Sequence, residues 1–176
     1  MSTLIATNGN ITNISTGTIK DSTGNTTAMT IDSTGRVKTP ARPAFRAGKT
    51  ATQTASGTNE LVTWNVEVFD IGGNFANNVF TAPIAGLYQF SIHAFSPNNS
   101  NIEDFYFGKR VGGTGSITPL AYFRNAQSSG HETSGGTIIE QLAVGDTVGV
   151  YLTSASDAIY GDSSTYWSSW SGYLIG

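Results

Sequence analysis

Phe80-Thr81-Ala82-Pro83-Ile84-Ala85-Gly86-Leu87-Tyr88-Gln89-Phe90-Ser91-Ile92 reads as a turn-bounded edge followed by a strand. Pro83 fixes φ and has no N–H, so it belongs at the start of a strand and not inside one. Gly86 ends the bend. From there Tyr88, Phe90, Ile92 and Ala94 alternate with Gln89, Ser91 and His93. A period of two with one apolar and one polar face describes an antiparallel strand with a single core side. Burying Phe80, Tyr88 and Phe90 contributes roughly 1.5–3 kcal/mol each, so this segment builds core.

Outward from it, strands are expected near 43–47, 61–69, 86–95, 102–111, 118–125, 137–143, 147–153 and 167–175. Eight strands, with Phe105, Phe107, Tyr122 and Phe123 added to the core, fit an all-β antiparallel jelly-roll sandwich. No heptad or helical stripe is present, so helix content should be very low. The 21 glycines and the low charged fraction, 12%, agree with a β protein rich in turns. The length, 176 residues, supports one core of ordinary size plus an appendage.

Strand parity sorts the connections. If the first strand runs away from the N-terminal segment, the far end carries 48–60, Ser96 to Asn101, Asn125 to Gly136 and Ser154 to Tyr166. These are long and polar. The near end carries Gly72-Gly73-Asn74, Gly112 to Ser116 and Val144-Gly145-Asp146, which are short. Long loops on one end of a rigid sandwich are where binding resides.

Residues 1–40 differ from the rest and are expected to form a separate β-strand and turn anchor, with 41–176 as the knob. Ser-Thr-Gly occurs at 15–17, 22–24 and 33–35, the last two inside Asp21-Ser22-Thr23-Gly24 and Asp32-Ser33-Thr34-Gly35. Asp bonding its own backbone and Gly supplying positive φ are turn chemistry, so short strands joined by tight turns are expected. Ribbons this thin and polar bury too little alone and need copies of themselves or a partner.

Charge is divided unevenly. Residues 1–49 carry a net +4, while 50–176 carry −7. A basic neck under an acidic body argues against nucleic-acid binding by the body. Arg36, Lys38, Arg42, Arg46 and Lys49 are either a solvated connector or a dock for an acidic partner surface. There is no cysteine, hence no disulfide framework and no thiol chemistry. Met1 to Asn10 has neither a basic region nor an apolar run, so no signal peptide and no membrane insertion are expected.

Four pieces in order carry a family resemblance: Pro43-Ala44-Phe45; Phe80-Thr81-Ala82-Pro83 with Gly86-x-Tyr88-x-Phe90; Leu142-x-x-Gly145-Asp146-x-Val148; and Trp170-Ser171-Gly172-Tyr173-Leu174-Ile175. Together they resemble the complement component 1q globular-head family, within the tumour-necrosis-factor-like superfamily, over residues 43–176. Ile92 stands where that family usually carries an aromatic, and Trp170 where it usually has Phe. The resemblance implies a homotrimer. It also implies that the polar face holding Gln89, Ser91 and His93, with Tyr173 of the last strand, looks toward the threefold axis. Met29-Thr-Ile-Asp-Ser-Thr-Gly-Arg-Val37, followed by Pro40 and Pro43, resembles the neck of bacteriophage tail-fibre and virion structural proteins, particularly those of phages of marine cyanobacteria.

Chemistry has few candidates. Gly161-Asp162-Ser163 lacks the following Gly of a nucleophile motif, and only His93 and His131 could act as base. Glu103, Asp104, Glu132, Glu140, Asp157 and Asp162 could supply a glycosidase pair, but solvated acids account for all six. Two histidines 38 residues apart, with no Cys, make no zinc site. No cofactor is expected. Calcium, which some members of the resembled family bind, would have only the loop acids Asp157 and Asp162. Trp170 and Tyr173 are expected in core or subunit interface. Tyr160, Tyr166 and Trp167, around Asp162, lie at the far end, where rings and polar groups suit a sugar face. Asn98, Asn99 and His131 join them as candidate receptor contacts.

The sequence therefore points to a non-enzymatic, trimeric protein of a bacteriophage virion surface. It would be a distal fibre knob that binds a host receptor, glycan or protein, and docks on other virion proteins through residues 1–49. The alternative is a capsid decoration protein attached through its N-terminal arm. A secreted cytokine-type ligand fits less well, lacking signal peptide and cysteines.

Overall fold

A computed structural model describes residues 17–97, 102–126 and 130–176. The chain divides into two units, Met1–Ala41 and Arg42–Gly176.

In the first unit, β1 (Thr18–Lys20), β2 (Thr27–Ile31) and β3 (Val37–Lys38) form an antiparallel ribbon in the order β1-β2-β3. The repeated Asp-Ser-Thr-Gly is one turn built twice. Asp21 Oδ1 accepts from the N–H groups of Thr23 and Asn25, both at 3.1 Å, and from the Thr23 hydroxyl at 2.8 Å. Asp32 Oδ1 accepts from the N–H of Thr34 at 2.9 Å, of Arg36 at 3.0 Å, and from the Thr34 hydroxyl at 2.7 Å. Gly24 and Gly35 close the turns at φ +74° and +82°, a region open to glycine. These donors, the Thr hydroxyl first, hold both carboxyls down to about 2. No residue from 17 to 41 is buried.

The second unit contains β4 (Ala44–Lys49), β5 (Gln53–Thr54), β6 (Glu60–Leu61), β7 (Val66–Ile71), β8 (Phe75–Ala76), β9 (Val79–Thr81), β10 (Gly86–Phe95), β11 (Ile102–Arg110), β12 (Thr118–Ala126), β13 (Thr133–Leu142), β14 (Thr147–Leu152), β15 (Ala158–Ile159) and β16 (Ser168–Leu174). One sheet runs β13-β10-β16-β4-β7, the facing sheet β12-β11-β14-β9-β8, with β6 also on β14 and a small β15-β5 pair. All pairings are antiparallel. The only helical piece among the described residues is a 3-10 turn, Val111–Gly113. The architecture is the expected jelly roll.

The core lies between the sheets. Tyr88, Phe90, Ile92 and Ala94 of β10 are buried, as their alternation requires, and Phe45 and Trp170 join them from β4 and β16. The facing sheet adds Phe80, Phe105, Phe107, Val148, Val150 and Leu152. Trp170 is at the centre, its ring 4.6 Å from Phe45 edge-on and 6.2 Å from both Phe90 and Phe107. The buried Tyr88 keeps its phenol satisfied by donating to Ile84 O at 2.8 Å.

Two strand boundaries and one core placement differ from the sequence reading. β7 begins at Val66, and 60–61 pairs separately on β14. β13 begins at Thr133, so Gly135 and Gly136 are strand residues and not loop. Their lack of a side chain serves close approach: a Cβ on Gly135 would lie 2.1 Å from Ile92 O, and one on Gly136 2.8 Å from Phe123 Cε1. Tyr122 is not in the core. The alternation of β12 turns Phe123 inward and leaves Tyr122 65% exposed, its ring 5.0 Å from Tyr106 on the outer face.

Candidate functional site

The connections segregate as parity requires. At one end the Ser96 N–H donates to Glu132 O at 2.9 Å, Tyr160 N–H to Phe95 O at 2.8 Å, and Ala55 N–H to Asp157 O at 2.8 Å. Gly161 N–H reaches Thr52 Oγ1 at 3.3 Å, and the buried Glu103 carboxylate accepts from Ala158 N–H. At the other end, Ala82 N–H donates to Asp146 O at 2.9 Å, Gly145 N–H to Ala82 O at 2.9 Å, and Gly112 N–H to Asp146 Oδ1 at 3.0 Å. The unit begins at this second end, where Leu174 N–H donates to Pro43 O at 3.0 Å. The long loops therefore lie opposite the point of chain entry.

Side chains of the loop end form a chain of rings. His131 is 4.4 Å from Tyr160, Tyr160 5.6 Å from Trp167, Trp167 4.9 Å from Phe95, and Phe95 5.2 Å from His93. Two carbonyl contacts orient the histidines: His131 Nδ1 lies 2.7 Å from Ser96 O and His93 Nδ1 3.0 Å from Trp167 O. A carbonyl oxygen only accepts, so each Nδ1 carries the hydrogen and Nε2 is the ring's remaining polar atom. Asp162 Oδ1 accepts from Ser164 N–H at 2.8 Å and from the Ser164 hydroxyl, and Oδ2 from the Tyr160 hydroxyl at 3.2 Å. Ser164 keeps the Asp162 carboxyl below its ordinary value; desolvation, then Asp162, pushes the Tyr160 phenol up.

Of the candidate contacts, Tyr160, Asp162, Trp167 and His131 share this cluster. Tyr166 lies against Gly48 of β4, where a Cβ would sit 2.7 Å from its Cγ. Tyr166, Trp167 and His131 are exposed and Tyr160 half-buried. Asn98 and Asn99 lie outside the described residues. Gln89, Ser91, His93 and Tyr173 do share one outward face: Gln89 pairs with Tyr173, Ser91 with Ser171 and His93 with Ser169. Ile139, opposite Gln89, extends that face and is 59% exposed.

Sequence reasoning missed Arg46 and Phe95. Together with His93, Trp167 and Tyr166 they line a groove of about 570 Å³ where the outward face meets the loops. The signal was present: Arg46 alternates with Phe45 and Ala47, and Phe95 continues the polar side of β10.

The acids have other commitments. Asp104 pairs with Arg124 at 2.7 Å and Glu140 with Lys109 at 3.0 Å. Asp157 Oδ2 accepts from the Thr153 and Ser154 hydroxyls. Among the described residues no three His, Asp or Glu side chains are grouped as a metal site, and the histidine hydrogen bonds run to the carbonyls of Trp167 and Ser96.

A family model described as "C1q domain" matches residues 44–175. Among solved structures, the globular domain of zebrafish complement 1qA is similar at 21% identity and TM-score 0.60, over 76% of this chain and 98% of that one. Murine APRIL at pH 5.0 is similar at 12% identity and TM-score 0.61, over 76% and 99%. Eiger TNF from S. frugiperda is similar at 8% identity and TM-score 0.58, over 77% and 94%. These identities show a shared fold. No curated protein matches the chain.

Proposed function

The chain belongs to the C1q domain family, and from that premise we propose that it is a non-enzymatic, homotrimeric bacteriophage virion protein that binds a host-surface receptor. Residues 42–176 are the distal knob of a fibre, and the N-terminal residues fasten it to other virion proteins. The observation that carries this reading is the opposition of the two ends. The chain enters beside Pro43, and the ring cluster of His131, Tyr160 and Trp167 is presented at the far end. A protein anchored by its N-terminus would hold that cluster outermost.

Trimerisation is supported by the outward face of β13-β10-β16-β4-β7. Leu87, Ile139 and Tyr173 are each more than two-fifths exposed there, alongside Gln89 and Ser91, and apolar groups gathered on a sheet face call for a cover. In the resembled family this face is the one turned to the threefold axis. The phage assignment rests on the neck motif Met29–Val37 and its position before the knob. Three weak sites on one trimer, repeated around a virion, give avidity without new contacts.

The net +4 of residues 1–49 favours a second reading, a decoration protein whose arm binds the capsid. Deleting residues 1–40 separates the two. The receptor-binding knob keeps its binding to host cells after deletion. A decoration protein binds no cells and loses attachment to the particle.

A further inference from the structure

We infer that the outer face of the sheet β12-β11-β14-β9-β8 carries a second binding site, for a neutral sugar, with Tyr122 as the stacking ring and the Asp104–Arg124 pair as the hydroxyl contacts. The inference rests on the receptor-binding reading and adds a flank site to the loop cluster.

In the proposed trimer the other sheet turns its outward face to the threefold axis, and this face is turned away from it. Strand register lays three tyrosines across it in a row: Tyr122 of β12 pairs with Tyr106 of β11, and Tyr106 with Tyr151 of β14. Their rings follow one another at 5.0 and 5.5 Å. Gly108 makes the room, since a Cβ there would lie 2.7 Å from Tyr151 Cδ2. Tyr106 is buried and donates its hydroxyl to Asn59 Oδ1 at 2.8 Å. Tyr151, also buried, accepts from Arg110 Nε at 3.4 Å. The row is therefore fixed within the sheet, and only Tyr122 is exposed. A ring backed in this way presents a flat face at little further cost in side-chain entropy.

Two residues along both strands, and so on the same face, Asp104 opposes Arg124. Arg124 donates from Nε to Oδ1 at 2.8 Å and from Nη2 to Oδ2 at 2.7 Å. Those two bonds leave the remaining N–H groups of the guanidinium and a further lone pair on each carboxylate oxygen. Among the described residues neither side chain has another hydrogen-bond partner. Donor and acceptor atoms side by side at this spacing suit adjacent sugar hydroxyls, one accepting from the guanidinium and the next donating to the carboxylate. The pair has no net charge, and a carboxylated sugar would meet the Asp104 charge and compete with it for Arg124, so the site selects a neutral ligand. Asp104, Tyr122, Phe123 and Arg124 line a concavity of about 220 Å³. That is below the roughly 300–1,000 Å³ of sites that enclose a whole small ligand, and it suits one sugar unit laid with its C–H face on Tyr122.

The test is calorimetric titration of the full chain with three neutral probes, mannotriose, cellotriose and galactotriose, beside trigalacturonate. At least one neutral probe should bind, about tenfold or more tighter than the acid. Tyr122→Ala should lose about tenfold at unchanged melting, while Tyr122→Phe, which keeps the ring, should retain most of the affinity. Trp167→Ala should leave this binding unchanged, which separates the flank from the loop cluster. No binding of any neutral probe overturns the inference, as does equal or tighter binding of trigalacturonate, or binding that survives Tyr122→Ala or is lost with Trp167→Ala. A lower particle mass for Tyr122→Ala by light scattering also overturns it, because the ring would then be a subunit contact. One measurement needs no variant: the bound probe should slow nitration of Tyr122 by tetranitromethane, read by mass spectrometry, and unslowed nitration counts against the site. Cell adsorption measured in parallel keeps the two levels apart. Adsorption by a chain that binds no neutral probe overturns the flank site alone, while no adsorption overturns the receptor-binding reading itself.

Discussion

Gly172 and Phe90 face each other across β16 and β10, and a Cβ on Gly172 would lie 2.5 Å from Phe90 Cδ1 and 2.8 Å from Phe45 Cε1. The last strand can close over the aromatic core only because this position has no side chain. Gly172→Ala should destabilise the unit by about 1–3 kcal/mol through overpacking. Unchanged thermal melting would show that the rings move aside freely.

Phe90→Ala removes a fully buried ring that contacts Phe80, Phe107 and Trp170. The expected loss is roughly 3–5 kcal/mol, enough to abolish soluble folded protein. Denaturant unfolding measures it.

Trp167→Ala should leave melting nearly intact, since the ring is exposed, yet reduce adsorption to host cells. Unchanged adsorption would remove Trp167 from the site.

Lys49 gives a stability that depends on pH. Its side chain is buried, with Nζ donating to Thr63 O at 2.7 Å and to Gln53 Oε1 at 3.2 Å. Burial without a carboxylate lowers it from its ordinary 10.5 to about 8. The unfolded chain therefore holds more protons between those values, and stability rises with pH through that window. Below it, the cost of the buried charge is fully present. Tyr106, pushed up to about 12 by desolvation first, acts in the opposite direction above pH 10. Melting followed from about pH 8 to 9.5 isolates the lysine. Lys49→Met should flatten the slope; an unchanged slope would assign it elsewhere.

The paired turns of the first unit should loosen in acid. Asp21 and Asp32 have folded values lowered to about 2, so their contribution is present above the unfolded carboxylate range and is lost as pH falls toward 2. Asp32→Ala should raise amide exchange at Thr34 and Arg36, whose N–H groups it accepts. Protection equal to wild type would show that Gly35 alone sets the turn.

What the sequence made legible was governed by alternation. The run Tyr88 to Ala94 has a clean period of two, and both its faces and the sheet architecture followed from it. Elements of two or three residues, such as β5, β8 and β15, are too short to have a period and emerge only from pairing with β15, β9 and β5. Gly135 and Gly136 looked like turn residues because close packing against Ile92 and Phe123 leaves the same mark on sequence as a turn does. Tyr122 looked like core because two adjacent aromatics do not reveal which one points inward. The loop cluster was legible from parity, whereas Arg46 and Phe95 enter the groove through cross-strand register, which sets the Arg46–Ser171 row beside the Gly48–Ser169–His93 row, residues that no local pattern connects.

The most direct measurement is saturable binding of the fluorescently labelled full chain to candidate host cells, with light scattering to count chains. The account predicts three chains per particle and saturable adsorption that falls with Trp167→Ala. A trimer that binds no host cell but adds to capsids, or a chain that stays monomeric, would contradict it.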